Sequence, residues 1–193
     1  MIVAREGYDA IVLTRLCFEE EFFGESAMIG LAGESAEAFG TVGVMSWPVS
    51  LLKDIILSNP QCGIGLIQIL ARTSMELSRR LLQFAGRSIP LRLAEALLDL
   101  ASHEKRRSDV PGQVECLPHR MLARYIGTSR EIVTLHLNDF RRRGLLEYTR
   151  KVMEINIPGL ERMLQGEQLN RGLVEVQHVV PTFSDGQSSP FSV

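Results

Sequence analysis

The hydrophobic and polar positions divide the chain into three kinds of segment. Short apolar runs with glycine turns fill residues 1–49, apolar residues then recur at helical spacing over residues 49–101, and short helices and strands follow over residues 113–164. The first region predicts an antiparallel roll or barrel fragment, with strands at residues 2–4, 10–16, 22–25 and 38–44. Because strands and helices occupy separate regions, the pattern indicates an α+β fold.

The helical region contains one long helix with a narrow apolar seam. Asn59-Pro60 and Ala85-Gly86 interrupt the helical pattern and leave a helix between them, at about residues 60–86. Within it, the apolar positions step alternately by three and four residues, which is the spacing of a heptad seam with one polar member. The seam residues are Ile67, Leu70, Ser74, Leu77, Leu81 and Phe84.

A seam this narrow predicts a parallel partner helix, supplied by a second copy in a homodimer. The alternative is that the stripe packs onto the chain's own β-roll, for which Leu66, Ile69 and Met75 beside the seam are suited. A helix that is apolar on two sides can make both contacts.

Residues 117–144 have the pattern of two short helices joined by a tight turn. Leu122 and Ile126 lie four residues apart on one helical face, and Gly127 suits the positive φ that ends a helix abruptly. Ser129 is a good N-cap for a second helix that stops at Gly144. The apolar residues at helical spacing in the second helix are Val133, Leu137 and Phe140. This pattern is typical of a helix-turn-helix.

The same region is the basic part of a mildly acidic chain. Residues 118–151 contain eight Lys and Arg against three acids, a net charge of +5, whereas the whole chain carries −2. A β-hairpin with the basic turn Arg150-Lys151 follows the second helix, as a wing whose tip can contact phosphate. This charge distribution predicts double-stranded DNA as the partner. The alternative is an ordinary helical hairpin whose arginines are solvated.

The order of these elements resembles the winged helix of the Crp/Fnr superfamily of bacterial transcription regulators. The resemblance covers Gly-Thr-Ser-Arg-Glu-Ile-Val-Thr at residues 127–134 and Phe-Arg-Arg-Arg-Gly-Leu-Leu at residues 140–146. It implies that Ser129 and Arg130 contact a phosphate and a guanine edge and that Glu131 reads a base. Relatives often carry a further arginine one turn later, where this chain has Leu135. The predicted DNA-binding residues are Ser129, Arg130, Glu131, Thr134, Arg124, Arg150 and Lys151.

The N-terminal region is similar to the later part of the cyclic-nucleotide-binding β-roll of the same superfamily. The resemblance implies a vestigial pocket at Gly24 and Glu25, where relatives hold the ribose of a cyclic nucleotide. Glu34 stands where those relatives place the arginine that neutralises the cyclic phosphate, so we expect no cyclic nucleotide binding. Glu25 is instead expected to cap local backbone amides. The earlier strands of the superfamily's β-roll have no counterpart in this sequence. We therefore expect either that this start is genuine and the roll is reduced, or that the reading frame was opened too late.

No catalytic or metal-binding pattern is found in the sequence. Cys17, Cys62 and Cys116 form no C-x-x-C pair, and the four histidines are scattered without metal-ligand spacing. Nucleophile-elbow, P-loop and dinucleotide motifs are also lacking, so we expect no enzyme activity, no metal and no cofactor. The N-terminus has no signal-peptide pattern and no segment is long enough to span a membrane, which predicts a cytoplasmic protein.

Together these patterns predict a homodimeric DNA-binding transcription regulator with an α+β fold: a partial antiparallel β-roll, a long dimerisation helix and a C-terminal winged helix-turn-helix. The expected domains are residues 1–87, which include the dimerisation helix, residues 88–165, and a polar, disordered tail at residues 166–193. RNA polymerase is a further candidate partner, and a membrane is not. Two alternatives stay open, namely an effector-gated regulator whose β-roll binds a small molecule and a purely structural dimerisation module.

Overall fold

The structure, a computed structural model, describes residues 2–6, 11–31, 34–104 and 110–171. Its strands and helices in chain order are β1 (Ile2–Glu6), β2 (Ile11–Leu16), β3 (Glu34–Glu37), α1 (Val49–Ser58), α2 (Pro60–Gly86), α3 (Ile89–Glu104), β4 (Gln113–Glu115), α4 (His119–Ile126), α5 (Arg130–Arg142), β5 (Leu146–Tyr148), β6 (Val152–Ile155) and α6 (Ile157–Arg171). A 3₁₀ helix at Glu25–Ile29 lies between β2 and β3. The predicted α+β fold is confirmed.

The N-terminal sheet is antiparallel and has the strand order β2-β1-β3. Two predicted strands, at residues 22–25 and 38–44, are wrong. Gly24 has a φ of 85° and is the N-cap of the 3₁₀ helix, so the chain leaves the extended conformation there. Residues 38–44 lie in no strand, and the third strand is Glu34–Glu37. An apolar run becomes a strand only where a neighbouring strand satisfies its backbone hydrogen bonds.

Helices α1 and α2 are separated by a residue that caps the second of them. The side-chain oxygen of Asn59 accepts a hydrogen bond from the backbone N–H of Gln61 at 3.2 Å. Pro60 occupies the first turn of α2, where its missing N–H costs no helical hydrogen bond. Helix α2 then continues for 27 residues. The long helix is thereby confirmed, whereas its pairing with a second copy stays a prediction.

The C-terminal region packs around one hydrophobic core. Helices α3 to α6 and the antiparallel sheet β4-β6-β5 all contribute side chains to it. The largest fully buried side chains of this core are Leu93, Leu97, Leu122, Val133, Leu137, Phe140, Met153 and Leu160. Because α4 and α5 both pack on this core, the angle between the two helices is set by the rest of the domain.

Two helix ends differ from the predicted boundaries. The sequence predicts a polar loop at residues 103–112. Helix α3 nevertheless includes His103, whose ring stacks on Phe18 with centroids 4.1 Å apart, so the last turn has a packing partner. Helix α6 continues to Arg171, so residues 166–171 of the predicted disordered tail are helical. Met163 and Leu164 pack against the core, and the helix continues through the polar residues that follow. The predicted loop residues 105–109 and the tail from residue 172 lie outside the described residues.

Candidate nucleic-acid interface

The second helix of the helix-turn-helix begins directly after its N-cap residue, Ser129. Gly127 ends α4 with a φ of 69°, and its backbone N–H donates to the carbonyl of Ala123. The hydroxyl of Ser129 then accepts a hydrogen bond from the N–H of Ile132 at 3.4 Å, which caps α5. The predicted turn and N-cap are confirmed. Ser129, Arg130 and Glu131 therefore lie together at one helix end.

The side chains at this helix end are exposed. Arg130 and Glu131 are both exposed, and Glu131 lies on the opposite side of α5 from the buried stripe Val133, Leu137 and Phe140. The pKa of the Glu131 carboxyl is lowered, first by a hydrogen bond from its own backbone N–H and then by one from the Ser129 hydroxyl. At neutral pH the surface thus presents a guanidinium donor beside a carboxylate acceptor.

Thr134 is less available than the sequence suggested. Its hydroxyl donates to the carbonyl of Arg130 at 2.9 Å and lies 2.8 Å from the Nδ1 of His119. The pKa of His119 is lowered, first by burial and then by the positive charge of Arg130, which favours the neutral ring. The ring also makes an edge contact with Tyr148, at a centroid distance of 5.8 Å. Sequence reasoning missed this network, because its members come from three different elements.

The wing is held against α5 by a further contact of Tyr148, whose hydroxyl donates to the side-chain oxygen of Asn138 at 3.1 Å. At the tip of the wing, the hydroxyl of Thr149 accepts hydrogen bonds from the N–H groups of Lys151 and Val152, at 3.3 and 3.2 Å. Arg150 and Lys151 are both exposed in this turn. The wing therefore presents two cations from a hydrogen-bonded turn.

The basic side chains of residues 118–151 form two groups. Arg141 pairs with Glu147 at 2.8 Å, and Arg142 and Arg143 pair with Asp139 at 3.3 and 3.5 Å. The second group has no acidic partner among the described residues; its members are Arg120, Arg124, Arg130, Arg150 and Lys151. Four of these five are predicted DNA contacts, and they lie on α4, at the start of α5 and at the wing tip. An unpaired cation retains its full charge for an anionic partner.

A buried arginine joins the helix-turn-helix to the long helix and the N-terminal sheet. The guanidinium of Arg80 donates to the carbonyls of Leu13 at 3.2 Å, of Thr14, and of Tyr125 at 2.7 Å. It also lies 4.1 Å from the centre of the Tyr125 ring, and burial raises the pKa of that phenol to about 12. Sequence reasoning missed Arg80, because a charged residue in an amphipathic helix usually faces solvent.

All six predicted seam residues lie at the surface of the described chain. The exposed fraction is 66% for Ile67 and 69% for Leu81, and the other four are exposed as well. Phe84 has a second contact, because its ring lies against the position of Gly127 and 5.0 Å from the guanidinium of Arg92. Of the off-seam residues, Met75 and Ile69 are exposed and Leu66 is half-buried. Helix α2 contacts β2 through the polar side chains of Thr73 and Arg80.

The predicted vestigial pocket lies beside the seam. One oxygen of Glu25 is 3.6 Å from the guanidinium of Arg15, and the other is buried without a hydrogen-bond partner in the described structure. The expected capping of backbone amides by Glu25 is therefore wrong, because Arg15 from the neighbouring strand takes the carboxylate. Gly24 takes a left-handed conformation just before it. Glu25 borders a cavity of about 390 Å³ lined also by Leu70, Thr73, Ser74, Leu77, Ser78 and Leu81.

Metal-ligating side chains do not cluster in the part of the chain that the structure describes. No group of three or more His, Cys, Asp or Glu side chains in these ranges could hold a metal ion. The thiol of Cys17 is buried, that of Cys62 is exposed and that of Cys116 is half-buried, and all three are free. No described helix is both long and apolar enough to cross a membrane.

Residues 91–163 match the Crp-like helix-turn-helix domain. Among solved structures, the chain is similar to TTHB099, a CRP-family transcriptional regulator from Thermus thermophilus, with 23% identity and a TM-score of 0.66 over 85% of this chain and 84% of that one. It is also similar to TTHA1359, a CRP/FNR-family regulator from the same organism, with 22% identity and a TM-score of 0.58 over 85% and 82%. A CooA mutant from Carboxydothermus hydrogenoformans gives 23% identity and a TM-score of 0.52 over 60% and 55%.

The chain spans little more than half the length of that CooA mutant and of FixK2 from Bradyrhizobium japonicum. No curated protein matches it in sequence. The matched domain contains the helix-turn-helix and its wing, and the two Thermus structures extend the likeness to most of the N-terminal half. The protein therefore has a Crp-like helix-turn-helix domain at residues 91–163 and the fold of the Crp/Fnr-type transcription regulators, which confirms the resemblance found in its sequence.

Proposed function

We propose that the protein is a sequence-specific DNA-binding transcription regulator that acts as a homodimer on a near-palindromic site without cyclic nucleotide. The observation that carries the proposal is the exposed Arg130-Glu131 edge, which opens the second helix of a Crp-like helix-turn-helix. In such motifs the N-terminal end of the second helix enters the major groove and meets the base edges.

The two side chains of this edge have complementary chemistry for a G·C pair. Arg130 would donate to the O6 and N7 of a guanine, and Glu131 would accept from the amino group of a cytosine, each worth about 1 to 3 kcal/mol of discrimination. The unpaired Arg124, Arg150 and Lys151 would bind phosphates. The Ser129 hydroxyl caps α5 and donates to Glu131, so it would donate to a phosphate only in place of Glu131. Thr134 was predicted to join them, but its hydroxyl already bonds within the protein, so we propose only a methyl or water-mediated contact for it.

The dimer is proposed from the exposed seam of α2. Six seam positions at heptad spacing are uncovered, and an apolar stripe of this kind is buried when two copies pair about a twofold axis. Two recognition helices would then enter successive major grooves about 34 Å apart. The proposed operator therefore has two half-sites related by near-palindromic symmetry.

Independence from cyclic nucleotide is proposed from the charges around Glu25. The only cation beside this carboxylate among the described residues is Arg15, and its guanidinium also donates to the hydroxyl of Thr73 at 3.1 Å and to the carbonyl of Phe22. Its Nε also donates to the sulfur of Cys17 at 3.2 Å, so an incoming cyclic phosphate would compete with four existing partners of Arg15. Glu25 itself would repel the phosphate.

Selection of bound sequences from random duplex DNA tests the proposal. We expect a near-palindromic consensus, loss of one selected guanine in each half-site with Arg130→Ala, and an unchanged consensus with Arg150→Ala. The latter variant should bind more weakly and lower the salt slope of log K by about 2, because the dimer loses one phosphate contact from each protomer. Arg142→Ala is the matched control for Arg130→Ala. Arg142 is also an exposed arginine of α5, but it is paired with Asp139. The assignment is wrong if Arg130→Ala leaves the consensus unchanged and Arg150→Ala alters it.

A second candidate function is an effector-gated regulator, favoured by the buried, unpartnered oxygen of Glu25 beside the cavity of about 390 Å³. A carboxylate in this position would accept hydrogen bonds from a hydroxyl or amino group of a small molecule. A thermal-shift screen with small polyols and amines would detect such a ligand, and Glu25→Gln should abolish the shift. The third possibility, a purely structural dimerisation module, predicts no DNA retention even at low salt.

A further inference from the structure

An apolar side chain lies in the middle of the surface proposed to read DNA. Leu135 has 61% of its surface exposed and stands one helical turn after Glu131 and three residues before Asn138, so the three side chains form one stripe along α5. Of the large apolar side chains that the structure describes after residue 88, only Leu135 and Val110 are exposed. Val110 lies in a loop, whereas Leu135 lies on the helix that would enter the major groove.

Neither the core nor the seam accounts for the position of Leu135. It is two residues from both Val133 and Leu137, which are fully buried, and two residues correspond to a rotation of about 200° around an α-helix. Leu135 therefore points almost directly away from the core. The apolar seam proposed to meet a second copy is on α2, a different helix. A lone exposed leucine is common on protein surfaces, and what distinguishes Leu135 is its place in the outward stripe.

The chemistry of the major groove leaves one group that such a side chain can recognise. The base edges in that groove are hydrogen-bond donors and acceptors, except for the 5-methyl group of thymine. A leucine cannot satisfy a donor or acceptor, so packing it against a G·C edge would cover polar groups without replacing their hydrogen bonds. Packing it against a thymine methyl buries two apolar surfaces together.

We propose that Leu135 contacts the 5-methyl group of a thymine in each half-site and selects that base. The inference rests on the proposed function, since it assigns a further base contact to the same helix. One helical turn advances about 5.4 Å and successive base pairs are about 3.4 Å apart, so the thymine lies within about two base pairs of the base read by Glu131. Leu135 is thus a specificity-determining residue beside the polar pair Arg130 and Glu131.

Replacing thymine with deoxyuridine in the selected operator tests this contact, because the exchange removes only the methyl group. Fluorescence anisotropy with each thymine exchanged in turn should reveal one position per half-site where the wild-type protein binds about fourfold more weakly, the effect of losing one buried methyl. Leu135→Ala should bind the thymine and deoxyuridine operators equally at that position. Leu57→Ala, which shortens a leucine that is 80% exposed on α1, should keep the wild-type difference.

The outcomes separate this inference from the function on which it rests. If the wild-type protein selects a sequence that contains no thymine near the base read by Glu131, or if no deoxyuridine exchange weakens binding, the role of Leu135 is refuted while DNA recognition stands. The same holds if Leu135→Ala, with a circular dichroism spectrum like that of the wild type, keeps the fourfold sensitivity. If the wild-type protein selects no sequence at low salt, the proposed function fails and this inference fails with it.

Discussion

From α3 to α6 the large apolar side chains meet in a single core, whereas from residue 13 to residue 86 most of them lie at the surface. The fully buried C-terminal set includes Phe140, Leu137 and Leu93, but Leu13 and Cys17 are the only buried apolar residues described in the N-terminal part. Both parts come from the same chain and contain regular helices and strands. They differ in whether those elements have a second layer to pack against.

The physical reason lies in the two sheets. In the C-terminal domain, strands and helices form layers that bury each other's apolar faces. The N-terminal sheet has three strands among the described residues, and β3 has the sequence Glu-Ser-Ala-Glu, which offers almost no apolar face for a helix to cover. The apolar surface of α2 therefore stays exposed in the single chain. Large exposed apolar surfaces mark interaction sites, which is why this comparison supports a homodimer.

The largest effect should come from the C-terminal core. Phe140→Ala removes a fully buried ring and should lower the free energy of unfolding by about 3 to 5 kcal/mol, measured by urea titration. The matched change in the exposed part is Leu57→Ala, which should alter this free energy by less than about 0.5 kcal/mol. Similar losses for both variants would contradict the contrast between the two parts.

A charge in the seam should have the next largest effect. Leu81→Asp, at a seam position that is 69% exposed in the single chain, should raise the dimer dissociation constant at least about a hundredfold. The substitution removes two leucines from the interface, one from each protomer. Burial of each leucine contributes about 1.5 to 3 kcal/mol to association. Analytical ultracentrifugation measures the change. The unfolding of the C-terminal domain should stay the same, and an unchanged dissociation constant would rule out this seam as the interface.

Arg80 makes one of the contacts between the two parts. Arg80→Met leaves three carbonyl oxygens without their donor, so it should destabilise the protein by about 2 kcal/mol in thermal or urea unfolding. Arg72→Met is the control, because Arg72 is an exposed arginine of the same helix. Hydrogen exchange should increase in β2 and at the end of α4 only in the Arg80 variant. Equal behaviour of the two variants would mean that Arg80 does not hold these elements together.

The smallest effect concerns the turn beneath Phe84. Gly127→Ala and Gly144→Ala both place a side chain at a positive φ, 69° and 67°, and each should cost about 1 to 2 kcal/mol. An added Cβ at residue 127 also overlaps the ring of Phe84, whereas none of the described atoms lies within 4 Å at residue 144. Gly127→Ala should therefore be the more destabilising change. In a Phe84→Ala background the two costs should become equal, and a persistent difference would show that Phe84 is not its cause.

The sequence predicted the C-terminal elements well, because their signals are local. The N-cap Ser129, the stop at Gly127 and the spacing of Val133, Leu137 and Phe140 all act within one or two turns of a helix. Two of the strands predicted before residue 45, at residues 22–25 and 38–44, were wrong. Strand formation depends on pairing with residues that are far apart in sequence, which a local pattern does not reveal. The roles of the DNA-binding and seam residues stay predictions, although each of these side chains has a described position.

The sequence by itself determined the long helix, the capped helix-turn-helix and the basic charge of its surface, because periodicity, capping and charge are properties of neighbouring residues. Only the tertiary structure decided which polar groups already have hydrogen-bond partners within the protein. Arg80 is held by carbonyls of β2 and α4, and the hydroxyl of Thr134 is held by His119. Such partners are 15 to 67 residues apart in the chain, so no local pattern reveals them, and burial rather than residue type makes the contact necessary.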